Sequence, residues 1–413
     1  HLDAARHLNE RPGLRTFQAL RHRNFRLFWF GQLGSLIGTW MQSIAQSWLV
    51  LTLSKSSFTL GLVSAMGMLP VLFFAIPAGA LIDRIDKRRL LVGTQTFQML
   101  LALALGVLAS THTVQVGHII VLAGLLGLSN EFHMPGRQSF VAELVDRTLL
   151  LNAIALNSSA FNAARIIGPA IAGLLISAVG VAGCFYLNSL SFIAVIVGLL
   201  LMDLSHTPRP ARSSSMSSDV LQGLRYIGQN RDMLLLIVLG GVCSVFGLPY
   251  LMLMPVFAQG VLAAGAKGYG LLMSATGAGA LIGALGLASL GDARHKGRVV
   301  LAAGIGFVAC INLFSASRSL LLCSILLLGI GFCMVAQTAT TNSLLQTLAP
   351  DELRGRVMSV FSVLFVGFVP IGSLQAGFVA QNYGAPTALV LGAAIMALAI
   401  ILTVVIRPQV LTL

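Results

Sequence analysis

The sequence predicts an all-α membrane protein: twelve transmembrane helices arranged as two pseudo-symmetric six-helix bundles. Three observations carry that prediction. The chain is 56% hydrophobic and only 9% charged, against about a quarter charged in a soluble globular protein. Apolar runs long enough for a bilayer core, about 20 residues each, recur along its whole length. The second half of the chain repeats features of the first.

Residues 1–24 form a polar, Arg-rich tail without an apolar core, so a cleavable signal peptide is not expected. The first bundle, 25–203, holds spans at Phe25–Leu53, Thr59–Ile82, Arg89–Ser110, Val116–Ala142, Leu149–Val179 and Gly183–Met202. Residues 204–230 are a linker. A Pro- and Ser-rich stretch is followed there by a short amphipathic segment. Val220, Leu221, Leu224 and Ile227 share one face, with Gln222, Arg225 and Gln229 away from it. That pattern predicts a helix lying in the membrane interface. The second bundle, 231–413, holds Met233–Gln259, Tyr269–Leu290, Val299–Ser317, Leu320–Leu348, Leu353–Gln381 and Ala385–Ile406. Pro249 and Pro255 are expected to bend the seventh span.

Charge sets the orientation. Of 26 Lys and Arg residues, 21 fall on the side of the amino terminus. Only Lys55, Lys267 and Arg318 fall on the other side, and Arg137 and Arg165 lie within spans. The bias places both termini in the cytoplasm, as expected of a multi-pass protein of a cell's inner membrane. It also accounts for the net charge of +13 through anionic membrane lipid rather than nucleic acid. The five cysteines all lie in apolar runs without metal-ligand spacing. They read as reduced packing residues, and no metal or cofactor is expected.

A shift of 209 residues sets Gly61 on Gly270, Asp83 on Asp292, Lys87 on Lys296 and Arg89 on Arg298. Further along, a shift of 205 sets Asp146 on Asp351. Two parallel six-helix repeats place a substrate site between the halves, near the middle of the membrane.

The residues then carry a family resemblance. GALIDRIDKRR, from Gly79 to Arg89, resembles the loop signature between helices 2 and 3 of the major facilitator superfamily, with Asp86 in place of the usual glycine. RIIGPAIAG, with Gly168, Pro169 and Gly173 matching, resembles the helix 5 signature of its antiporters and exporters. MPGRQSFVAELV, DVLQGLRYI and PDELRGRVMS resemble the enterobactin-exporter and macrolide-efflux branch. The resemblance implies the major facilitator fold and export of amphipathic small molecules, drug-like or siderophore-like, against proton influx; no enzymatic activity is expected. An uncoupled facilitator or lipid flippase of the same fold is the alternative. The resemblance also implies a gate latch at the loop aspartate. Asp83, Arg84, Arg88, Arg137 and the second-copy Asp292 are its candidates, against ordinary surface charge. A monomer is expected.

Of thirteen acidic residues, Glu131 alone sits well inside a span. It lies roughly 16 Å from the nearer end of that span at 1.5 Å per residue. An ionised carboxylate at that depth is costly unless paired or wetted, which marks a candidate for carrying protons or contacting substrate. A fixed structural ion pair is the other reading. Arg165 is the lone cation near the middle of the fifth span, roughly 24 Å deep. It is expected either to pair with Glu131, to receive an anionic substrate group, or to bond to helix carbonyls. His133 is a weaker candidate, as a proton relay or a satisfied interior residue.

Gln32, Ser35, Thr39, Gln42 and Gln46 repeat at three- and four-residue spacing and so share one face of the first span. They are expected to line a wet cavity, with Trp40 and Met41 beside them as apolar contact surface. Bonding between helices is the alternative. Asn157, Asn162 and Gln337 are further cavity candidates. No phosphate-loop, zinc-protease or nucleophile-elbow motif is present, so neither ATP drive nor intramembrane hydrolysis is indicated.

Overall fold

The helices begin where short polar side chains meet apolar runs. Ser56, Asp86, Asn230 and Ser319 each accept a hydrogen bond from the backbone N–H three residues on, satisfying donors that a helix leaves free. The structure is a computed structural model, and it describes residues 17–82, 85–203, 216–289 and 295–412. Every regular element among these residues is helical.

The first half contains α1 (Arg23–Ser54), α2 (Ser57–Met68), α3 (Pro70–Ile82), α4 (Lys87–Ser110), α5 (Val116–Leu144), α6 (Leu150–Val179) and α7 (Val181–Leu200). The second contains α8 (Met216–Gln229), α9 (Arg231–Val242), α10 (Tyr250–Val256), α11 (Gly265–Ser289), α12 (Lys296–Ala316), α13 (Leu320–Leu348), α14 (Asp351–Gly367), α15 (Val369–Tyr383) and α16 (Ala385–Ile406). Among the described residues, eleven segments are long and apolar enough to cross a membrane, and they correspond to the second to twelfth predicted spans. In the place of the first stands α1, 32 residues long, whose polar stripe dilutes its hydropathy.

Three predicted spans are interrupted. The second is divided at Leu69, ahead of Pro70, and the eleventh at Phe368, ahead of Pro370. Proline lacks the N–H that would continue each helix. The seventh carries two π-turns, Cys243–Gly247 and Phe257–Val261, which flank α10 with its Pro255. At two matching places a helix stops and the next starts within one residue. Gly180 and Gly384 make those turns with φ of 80° and 89°, a region that glycine enters without strain.

One end of the bundle collects the basic residues. Arg88 and Arg23 donate to the carbonyls of Leu200 and Leu201, closing the end of α7. Arg407 pairs with Asp232 at 3.2 Å. We call this the basic end. Asp86, which departs from the signature glycine, caps α4 by accepting from Arg89 N at 2.8 Å. The helix α8 packs on α14, where a side chain at Gly223 would meet the backbone oxygen of Arg356 at 2.9 Å. Residues 204–215 of the linker lie outside the described residues.

The apolar core is divided unequally. At the end away from the basic residues, one buried cluster joins both halves, running from Ile44, Leu60 and Phe185 to Leu253, Phe257, Tyr269 and Phe314. At the basic end each half keeps its own. Phe25, Phe28, Leu91, Phe140 and Leu199 serve the first, and Met233, Leu236, Val300, Leu345 and Val357 the second. The halves are therefore fused by burial at one end only.

Candidate functional site

The fused end is held by two crossings related by the internal repeat. In one, α6 meets α11: a Cβ at Gly173 would lie 2.8 Å from Ala266 O, and one at Gly270 would lie 2.5 Å from Pro169 O. In the other, α2 meets α15: a Cβ at Gly377 would lie 2.8 Å from Ser57 O, and Gly61 faces Ser373 O. Ser57 and Ala266 stand 209 positions apart, as do Gly61 and Gly270. Ser57 N donates to Gln381 Oε1 at 2.8 Å, and the Ser64 and Ser373 hydroxyls lie 3.3 Å apart. Helix backbones approach this closely only where the side chains are small. Gly168 of the same motif seats α1, since a Cβ there would lie 2.9 Å from Ile37 O.

Below these crossings the helices part. On α6, Leu151 is 82% exposed and Ile154 51%, and Ser158 is exposed as well. On α5, Met134, Pro135 and Gln138 are exposed. Glu131 shares their face at helical spacing and is half-buried. Arg165 shares the face of Ser158 and Phe161. Both charges lie mid-helix. Measured from the ends of α5 and α6, they stand roughly 20 and 22 Å from the basic end. The sequence arithmetic had separated them by more, because α5 runs on to Leu144.

Glu131 and Arg165 do not pair, and neither has an ion-pair partner among the described residues. Arg165 sits with its Cζ 5.9 Å from the centroid of the Trp40 ring. Its backbone is pressed against Gly277 of α11, and Tyr250 of α10 stands within electrostatic range of it. Tyr250 is fully buried, and its hydroxyl points to Met334 Sδ at 3.8 Å. Trp40 packs edge-to-face with Phe161, centroids 5.8 Å apart.

His133 is turned away from this space. Its Nδ1 lies 3.1 Å from Thr94 Oγ1 and its Nε2 3.5 Å from Gln95 Nε2, both on α4. Next to it Gln98 bonds to Ser129 and Asn130. These polar contacts zip α4 to α5.

The stripe on α1 divides. Gln42 is buried, and its Oε1 accepts from Asn188 Nδ2 of α7 at 2.6 Å. Gln32 and Ser35 are buried too, with Gln32 Oε1 lacking a partner among the described residues. Thr39 is exposed, Gln46 and Trp40 are half-buried, and Met41 is buried in the core that joins the halves. Asn157 and Asn162 are half-buried on α6, with Asn162 donating to Ser158 O. Gln337 is buried beside a small cleft formed with Cys243, Thr341 and Phe361, and it takes a weak bond from Cys243.

Of the latch candidates, Arg88 caps α7 and Arg137 is 5% exposed within α5. Asp83, Arg84 and Asp292 lie outside the described residues. Tyr250, Phe161 and the Thr94–Gln95–Gln98 group were missed in the sequence. The paired glutamines on α4 offered a signal at helical spacing. Tyr250 offered only its flanking prolines.

Two repeated bundles fused at one end, with ionisable side chains midway along their helices, define a major facilitator transporter. The match to the family model for transmembrane secretion effectors extends over residues 14–411, and the chain belongs to that family. The multidrug efflux pump Tap of Mycolicibacterium fortuitum is 27% identical over 87% of this chain and 89% of its own. The staphyloferrin A transporter of Staphylococcus aureus is 27% identical over 84% and 87%. The solved nucleoside transporter NupG shares the fold, with a TM-score of 0.72 over 94% of this chain and 98% of its own at 12% identity. The protein is a multi-pass membrane transporter of the efflux and secretion type.

Proposed function

We propose that this protein exports amphipathic small molecules, drug-like or siderophore-like, from the cytoplasm by alternating access driven by inward proton flow. The supporting observation is Glu131. It stands half-buried, without an ion-pair partner among the described residues, on the face of α5 that opens toward the basic end. A carboxyl group in that position accepts a proton from one side and releases it to the other as access alternates. The positive-inside bias puts the basic end and both termini in the cytoplasm of an inner-membrane protein. On this reading the state described here is inward-open. The relatives named for drug efflux and siderophore transport support the substrate class.

The test is an efflux and susceptibility panel in cells lacking the protein, complemented with the wild type or with Glu131→Gln. Wild-type efflux is expected to collapse with an uncoupler, and the variant is expected to give less than a tenth of it. Efflux that survives both the uncoupler and the substitution supports an uncoupled facilitator or lipid flippase instead.

A further inference from the structure

We infer that Arg165 is the recognition site for a carboxylate on the transported molecule, so that the preferred substrates are organic anions with a flat apolar body. This rests on the export reading above. A guanidinium midway along a membrane-spanning helix is costly unless something compensates it. Arg165 has no carboxylate partner among the described residues. Trp40, at 5.9 Å from Cζ, stands at the outer limit of a cation–π contact and offsets little of that cost. The planar fork keeps its donors, and its geometry matches a carboxylate in bidentate fashion.

The surroundings fit such a ligand. Tyr250, from the opposite half, lies within electrostatic reach of Arg165. Among the described residues its hydroxyl meets only a thioether sulfur, at 3.8 Å, a weak acceptor. Phe161, one turn from Arg165 toward the basic end, packs edge-to-face with Trp40, and Ser158 and Asn162 continue the approach on α6. A ligand with its carboxylate up and its apolar body down follows this path. Arg165 and Trp40 belong to the first half and Gly277, which bears on the Arg165 backbone, to the second, so the bound anion sits where the two rocking units meet. Gly277 admits the Arg165 backbone against α11 and fixes the height of the fork.

The test compares two probes that differ only in charge, 1-pyrenebutyrate and 1-pyrenebutanamide. Each is titrated at neutral pH by fluorescence anisotropy against the purified full-length protein in lipid nanodiscs. The wild type is expected to bind the acid at least tenfold more tightly than the amide. Arg165→Gln is expected to bring the two within twofold of each other by weakening the acid alone. Arg165→Lys, which keeps the charge and loses the fork, is expected to fall between them. Equal binding of the two probes by the wild type, or binding of neither, overturns the proposal. So does a preference for the acid that survives in Arg165→Gln. If the glutamine variant does not fold, the wild-type comparison and the lysine variant decide. No proton gradient is present in this assay, so its failure leaves the export reading standing. Loss of uncoupler-sensitive efflux alongside an intact preference for the acid removes the export reading alone.

Discussion

A single methyl group at Gly173 is expected to push the protein out of the state described here. A Cβ at that position would lie 2.8 Å from Ala266 O and 3.1 Å from Gly270 Cα. Ordinary contact begins at 3.4 Å, and both neighbours are backbone, so neither swings aside cheaply. Overpacking of this kind costs about 1–3 kcal/mol. Under the proposed alternating access, the cost falls only on the state in which α6 and α11 are pressed together and disappears once they part. With about 1.4 kcal/mol per factor of ten, the ratio of this state to its opposite falls roughly 5- to 150-fold in Gly173→Ala. The assay is a pulsed electron-resonance distance between labels at Thr113 and Tyr383, exposed residues at the fused end in opposite halves. It is run in a background from which the five cysteines are removed. Longer distances are expected to gain population. Gly93→Ala, where nothing lies within 4 Å, is expected to leave the distribution alone. A folded Gly173→Ala protein with the wild-type distribution would refute the claim that this crossing holds the halves together.

Two further outcomes follow from the same contacts. Gln42→Ala leaves Asn188 without its buried partner, so thermal stability is expected to fall by about 1–3 kcal/mol while the efflux profile is unchanged; a changed profile with unchanged stability would return Gln42 to the cavity. His133→Ala breaks the contacts to Thr94 and Gln95 and is expected to destabilise by a similar amount, about 1–3 kcal/mol, with the pH dependence of efflux unmoved; a displaced pH profile would make the imidazole part of the proton path.

The helices were legible because membrane spans are written in apolar runs, and the halves because the repeat aligns Gly61 with Gly270. The structure gives that alignment a physical reason, since both glycines serve the crossings between the halves. The interruptions at Leu69 and Phe368 were less legible. A proline in an apolar run signals a bend or a break equally well, and packing decides which. Glu131 and Arg165 stood out because charge is rare at such depth. Their separation did not, because a lone arginine chooses its neighbours across the bundle, and Tyr250 is distant in sequence. The α1 stripe shows the limit of periodicity. Thr39 and Gln42 share a helical face, yet one is exposed and the other is bonded to Asn188. Spacing identifies a polar face without saying whether it meets water or another helix.

The most direct measurement is the proton flux that accompanies transport. Purified protein is reconstituted into vesicles loaded with a pH-sensitive dye, and a substrate identified in the efflux panel is added on one side. Wild-type protein is expected to move protons opposite to the substrate, and Glu131→Gln is expected to move none while still binding it. Equal proton movement by the wild type and Glu131→Gln would contradict the account, as would substrate movement by the wild type without any proton flux.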